Sequence, residues 1–170
     1  MLFDINDIHA RIPEGMQNLQ QWILWRAIPR GDKINKVPWS VYDQPASSTN
    51  SKTWAAFDTV VEKYDDKRHA GLGFVFTLDD PYTGIDLDGC RNPETGQITD
   101  WAWKWINAIE SYTEISPSGT GVKIFATVNN QYHNGMKKDV EEERVSDKNP
   151  GVEIYSTGRY FAVTGMKVNV

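Results

Sequence analysis

The chain has 170 residues, a formal charge of −5 and a sequence pI near 5.2. With 39% hydrophobic and 24% charged residues it reads as one globular domain, 1–170; a disordered tail, a collagen-like chain and a disulfide scaffold are excluded. The acidic balance also excludes a simple basic glove for nucleic acid, so any phosphate-binding surface must be local. The single cysteine, Cys90, closes no internal disulfide, which fits a reducing cytoplasm. No apolar run approaches the ~18 residues of a membrane span. The start, Met1-Leu2-Phe3-Asp4, lacks the basic and then apolar character of a signal peptide.

In chain order, a short helix is expected near Pro13–Gln20. Gln21–Ile28 reads as a buried strand rich in aromatic and branched residues. Pro29-Arg30-Gly31-Asp32 reads as a turn, and Lys33–Ser40 as the returning strand. Tyr42–Asn50 is a loop. Ser51–Tyr64 reads as a helix capped by Ser51, with Trp54, Phe57, Val61 and Tyr64 at helical spacing. Gly71–Thr77 and Gly84–Asp88 read as strands, and a helix from Thr99 or Asp100 to about Ser111 puts Trp101, Trp105, Ile106 and Ile109 on one face. Tyr112–Ser116 and Val122–Val128 read as strands around a Ser-Pro-Ser-Gly-Thr-Gly loop. Asn129–Asn149 is polar and without a pattern. Val152–Ser156 and Tyr160–Thr164 close the chain as strands. The mixture is α+β, with helices packed on an antiparallel or mixed sheet.

The sharpest feature is Gly84-Ile85-Asp86-Leu87-Asp88-Gly89. Strand side chains alternate, so Ile85 and Leu87 point to the core while Asp86 and Asp88 share the other face. Two like charges there repel, and a hard divalent cation relieves them. A strand running into an Asp-Gly turn fits the same residues. Glu153, between Val152 and Ile154, has the same grammar. Three strand-borne carboxylates suit two metals, magnesium or manganese, that activate a hydroxyl and stabilise a leaving pyrophosphate. An edge-strand acid facing water is the plainer reading of Glu153.

Ser116, Ser118, Gly119, Thr120 and Gly121 offer hydroxyls and amides to a triphosphate, or simply make a hairpin loop. Lys123 interrupts an apolar strand with a charge that suits a phosphate, or is a snorkelling surface lysine. Arg159 offers a bidentate phosphate contact and Tyr160 a flat ring for a sugar; a turn arginine and a core tyrosine is the alternative. Arg26, Arg30, Lys33 and Lys36, interleaved with Trp25 and Trp39, suit a groove on a DNA backbone, or a solvated hairpin. The histidines His9, His69 and His133 are scattered and offer no zinc spacing, which counts against a histidine-dependent nickase.

These pieces stand in one order: Lys36-Val37-Pro38, Thr53-Trp54, Gly71–Phe76, Gly84–Asp88, Tyr112–Lys123 and Val152–Phe161 with Thr164-Gly165. In that order, over residues 20–165, the chain resembles the primase-polymerase domain of the archaeo-eukaryotic primase superfamily, in its phage and plasmid replication form. The resemblance implies a two-layer fold with an RRM-like mixed sheet and packed helices. It implies a DNA-directed nucleotidyltransferase working on DNA template, primer and nucleoside triphosphates. It further implies two-metal binding by Asp86, Asp88 and Glu153. Lys123 stands where the family normally carries a histidine on the incoming phosphates. Arg159 matches a family arginine near the nucleotide, and Tyr160 a tyrosine that senses the sugar's 2′ position. Family members are often fused to a helicase, so the chain is expected to be the N-terminal part of a larger replication protein, or else a reduced form lacking accessory parts. Two other readings stay open: a catalytically weak nucleotide or single-stranded DNA module serving a helicase, and a rolling-circle nuclease.

Overall fold

The computed structural model describes residues 3–31, 33–128 and 135–168. Along the chain run α1 (Ile8–Arg11), α2 (Glu14–Gln17), β1 (Trp22–Arg30), β2 (Lys33–Trp39), α3 (Phe57–Lys63), β3 (Gly71–Val75), β4 (Tyr82–Asp88), α4 (Asp100–Ile109), β5 (Tyr112–Ile115), β6 (Val122–Thr127), β7 (Met136–Asp139), β8 (Gly151–Tyr155) and β9 (Tyr160–Val163). This is α+β, as the sequence implies. The chain divides into two compact units. One holds Phe3–Val75 and Gly158–Gly165; the other holds Phe76–Thr157 and the stretch from Met166.

The first unit is a four-stranded sheet in the order β2-β1-β3-β9. Trp22, Ile23, Leu24 and Trp25 of β1 are all buried because β1 lies between two partners. Trp22 meets Phe57 of α3 edge-on at 4.7 Å and Phe74 of β3 at 5.2 Å. Among the described residues β3 pairs only Trp22–Trp25 of β1, and beyond Arg26 the β1–β2 hairpin continues without a third strand. Its side chains are accordingly exposed, Ile34 to 57%.

The expected helix over Ser51–Tyr64 is interrupted. Ser51–Thr53 is a single 3₁₀ turn, capped by the Asn50 side chain and not by Ser51. Ala55 exchanges two backbone hydrogen bonds with Trp22, of 3.1 and 2.8 Å. That pairing holds Trp54 and Ala55 extended, and α3 begins only at Phe57. Near the start, α2 is shorter than the expected Pro13–Gln20, and α1, which buries Ile8, was not anticipated.

The second unit is a five-stranded sheet in the order β5-β6-β4-β8-β7. One face is apolar: Ile85, Leu87, Val122, Ile124 and Val152 cluster with Trp101, Ala102 and Ile106 of α4. Cys90 lies in this cluster, and burial pushes its thiol up to about 12. The other face carries the charges. Among the described residues every strand pair in both sheets is antiparallel, which corrects the mixed sheet implied by the resemblance. α4 does not cross over to a parallel neighbour of β4. It leads into the β5–β6 hairpin, whose second strand returns antiparallel to β4. Part of the segment expected to lack structure, Asn129–Asn149, is strand β7, paired with β8; residues 129–134 of it lie outside the described residues. No helix among the described residues is long and apolar enough to cross a membrane.

Candidate active site

Strand register builds the site. Asp86 of β4 stands directly opposite Glu153 of β8 and, on its other side, opposite Lys123 of β6. Lys123 in turn faces Glu114 of β5, and Glu153 faces Lys137 of β7. One row of charges therefore crosses all five strands: Glu114, Lys123, Asp86, Glu153, Lys137. Asp88, two residues along β4, shares the face. The adjacency of Glu153 to Asp86 is thus a fact of pairing. Cβ atoms of directly opposed residues lie about 4.5–5.5 Å apart, close enough for two carboxylates to repel strongly.

Each carboxylate meets a lysine. Lys123 Nζ donates to Asp86 Oδ2 at 2.5 Å, with side chains only 6% and 16% exposed. Lys137 donates to Glu153 Oε1. Lys148 donates to Asp88 Oδ1 at 3.5 Å. The hydroxyl of Tyr155 also donates to Glu153, at 3.0 Å, and that of Tyr112 to Glu114, at 2.8 Å. Burial pushes Asp88 above the ordinary carboxylate range, the Asp86 charge adds to this, and Lys148 opposes it. The hydrogen bond to Glu153 holds Lys137 above the usual lysine value.

The donor set suits a hard divalent cation: carboxylate oxygens crowded on one face, with Asp86 Oδ1 buried and, among the described residues, lacking a hydrogen-bond partner. Among the described residues no three acidic, imidazole or thiol groups converge on one point as placed. The ion pairs account for this. Asp86 is drawn toward β6 and Glu153 toward β7, on opposite flanks of their shared row. A cleft of about 200 Å³ opens beside Asp88 and Glu153, bounded by Lys137, Lys138 and Asn149. Another cavity, about 350 Å³, lies at the start of α4, by Asn92, Thr99 and Glu142, and contains none of the expected site residues.

The Ser116–Gly121 loop adjoins the same strand end. A Cβ on Gly121 would stand 2.6 Å from the Leu87 carbonyl oxygen and 3.5 Å from the Asp88 Cα, so only glycine lets the loop lie so close. The hydroxyls of Ser116 and Ser118 are 3.1 Å apart, and those of Ser118 and Thr120 2.8 Å. Arg91 fastens the loop: its guanidinium donates to the Gly119 carbonyl at 2.7 Å and its amide to the Thr120 carbonyl at 3.0 Å. Gly89, at φ +64°, makes the turn that follows Asp88; a Cβ there would strike the backbone of Lys148 and Asn149 at 2.7–2.8 Å. That close approach is what brings Lys148 to Asp88.

The structure thus gathers Asp86, Asp88, Glu153, Lys123 and the Ser116–Gly121 loop in the five-stranded unit. Arg159, Tyr160 and the basic hairpin belong to the four-stranded unit. Arg159 is exposed. The Tyr160 ring lies against Gly73, and its hydroxyl donates to the Lys36 carbonyl at 2.8 Å. The basic set divides. Arg26 sits 3.8 Å over the Trp39 ring and donates to Asp43 at 2.8 Å, sharing that carboxylate with Arg68. Arg30 and Lys33 are opposite each other near the tip. Lys36 is on the other face of the hairpin, 6.0 Å over Trp25.

Four residues of the site were not anticipated: Arg91, Glu114, Lys137 and Lys148. Glu114 carries a signal in hindsight, as an acid in strand alternation with Tyr112, the mirror of Glu153 and Tyr155. Lys137 and Lys148 lie in the unpatterned polar segment, where nothing local marks them.

By sequence comparison the chain is 30% identical, over 167 residues, to the DNA primase-polymerase of Nitratiruptor phage NrS-1. The match covers 97% of this chain but 21% of that protein, so the chain spans about a fifth of its relative's length. No protein-family model matches. The chain is thus similar, over nearly its whole length, to one segment of a phage DNA primase-polymerase, the family its ordered motifs resemble.

Proposed function

We propose that this chain is the catalytic domain of a DNA primase-polymerase with a primase-like α+β fold, joining nucleoside triphosphates to a 3′ hydroxyl under direction of a DNA template. The observation that carries this reading is the placement of Glu153 directly opposite Asp86, on the face shared with Asp88, in a chain similar to a primase-polymerase over 97% of its length. Asp86, Asp88 and Glu153 would hold magnesium or manganese, which supplies charge to activate the hydroxyl and to stabilise the departing pyrophosphate. The chain's own groups do the rest. The Ser116, Ser118 and Thr120 hydroxyls line the loop that receives the triphosphate; the Gly119 and Gly121 amides hold its shape, donating to the Ser116 carbonyl at 2.8 Å and the Ser116 hydroxyl at 3.2 Å. Lys123 exchanges its hold on Asp86 for a phosphate oxygen. Arg30 and Lys33 contact the DNA backbone, with Arg26 and Lys36 nearer the hairpin's root. A helicase, fused or associated, is the protein partner this reading expects.

The test is primer extension and dinucleotide synthesis with each metal. Asp86→Ala/Asp88→Ala is expected to lower incorporation by at least about a thousandfold while the protein stays folded. Unchanged incorporation in this variant overturns the assignment. Nucleotide binding without incorporation by the wild type, with both metals, supports instead a module that binds nucleotide or single-stranded DNA.

A further inference from the structure

Glu114 is wholly buried, at 0% exposure, and Lys123 nearly so, at 4%. Neither charge is tolerated in such surroundings without partners. Lys123 lies between two carboxylates in register, Glu114 on β5 and Asp86 on β4, and its ammonium has three protons to donate. Glu114 is itself fixed by the Tyr112 hydroxyl at 2.8 Å. Lys123 therefore stands between two acids: it donates to Asp86 Oδ2 at 2.5 Å, and the wholly buried Glu114 faces it from β5.

We propose that Glu114 is a positioning residue that divides the hold of Lys123, so that Asp86 can exchange its lysine for a divalent cation. This rests on the reading of Asp86 as a metal ligand. The physical reason is competition. An ammonium on Asp86 Oδ2 and a metal ion on the same carboxylate repel each other, so each weakens the other's hold. If Asp86 were the only acid beside Lys123, releasing it would strand a buried ammonium, and the metal would have to supply that cost. With Glu114 behind it, the ammonium keeps an anionic partner when the metal arrives. Its remaining protons then point to the face where the triphosphate is received. Glu114 touches neither metal nor nucleotide; it acts through Lys123.

The experiment is direct titration of Mn²⁺, read by the electron paramagnetic resonance of the free ion, on wild type, Asp86→Asn, Glu114→Gln, Tyr112→Phe and the double variant Glu114→Gln/Lys123→Met. Glu114→Gln is expected to weaken Mn²⁺ binding about five- to tenfold, because Lys123 is then committed to Asp86. Tyr112→Phe, which removes only the hydrogen bond to Glu114, moves affinity the same way by less. The double variant restores wild-type affinity or better, because the competing ammonium is gone. For nucleotide, Glu114→Gln raises KM more than it lowers kcat. Wild-type affinity in Glu114→Gln overturns the proposal. So does a loss that persists in the double variant, since Glu114 then acts as a distant charge and not through Lys123. If Glu114→Gln does not fold, unchanged affinity in Tyr112→Phe overturns it equally. Equal Mn²⁺ binding by wild type and Asp86→Asn is a different failure: it removes the metal assignment itself.

Discussion

Each candidate metal ligand is held by a lysine, and the three lysines differ in how firmly they hold. Lys123 is buried, while the Lys137 and Lys148 side chains are 67% and 45% exposed. Exposed pairs contribute little, on the order of 0–1 kcal/mol, so their stability value is small. Their effect on a competing cation is of the same small size, because a metal ion on either carboxylate meets the repulsion of the ammonium beside it. Lys137→Ala and Lys148→Ala are each expected to tighten Mn²⁺ binding about two- to fivefold, with melting temperature little changed; weaker binding in either shows that the lysine supports the ion instead. His69 is buried in the four-stranded unit. Its Nδ1 accepts a hydrogen bond from the Asp65 amide at 3.1 Å, so the ring is neutral there. Burial, then the charges of Arg26 and Arg68, hold it below its ordinary value of 6.5. As pH falls below that value the unfolded chain takes the proton before the folded one. The contribution to stability is complete above about pH 6.5 and is lost as pH falls through the depressed value. Thermal melts at about pH 7.5 and 5.5 are expected to show this loss in wild type and a reduced loss in His69→Phe; equal slopes exclude His69 as its source.

At the scale of elements, the site is a property of the β4 end and of what is packed on it. The Ser116–Gly121 loop reaches Asp88 only because Gly121 has no Cβ where the Leu87 carbonyl passes. Gly121→Ala is expected to cost about 2 kcal/mol and to raise the nucleotide KM, since the loop must withdraw from the strand. Chemical denaturation and steady-state kinetics on one preparation measure both, and a stable variant of normal KM refutes the contact. The interruption at Trp54 and Ala55 teaches the same lesson about elements. Helical spacing runs through Ser51–Tyr64, yet two hydrogen bonds to Trp22 outweigh it, because an isolated short helix is marginal without packing.

At the scale of the molecule, a formal charge of −5 gives DNA no net attraction, and Arg26 is engaged with Asp43 and Trp39. Arg30 and Lys33 remain the exposed cations at the hairpin tip. DNA binding by this chain is therefore expected to be weak and shallow in salt, with a log–log slope of magnitude below about 3. Arg30→Ala/Lys33→Ala should lower that magnitude by about 2. An unchanged slope places the phosphate contacts elsewhere.

Much of this was legible in the linear chain. Alternation alone put Asp86 and Asp88 on one face and Ile85 and Leu87 in the core, because a strand has a period of two whatever it pairs with. The order of the motifs suggested the primase-polymerase likeness, which comparison bears out over nearly the whole chain. The tertiary structure decided the rest. Asp86 faces Glu153 only through the β4–β8 register, Glu114 backs Lys123 only through β5–β6, and Lys137 enters through a strand with no apolar alternation of its own. Register is fixed by hydrogen bonds and buried faces between segments far apart in sequence, and no local pattern encodes it.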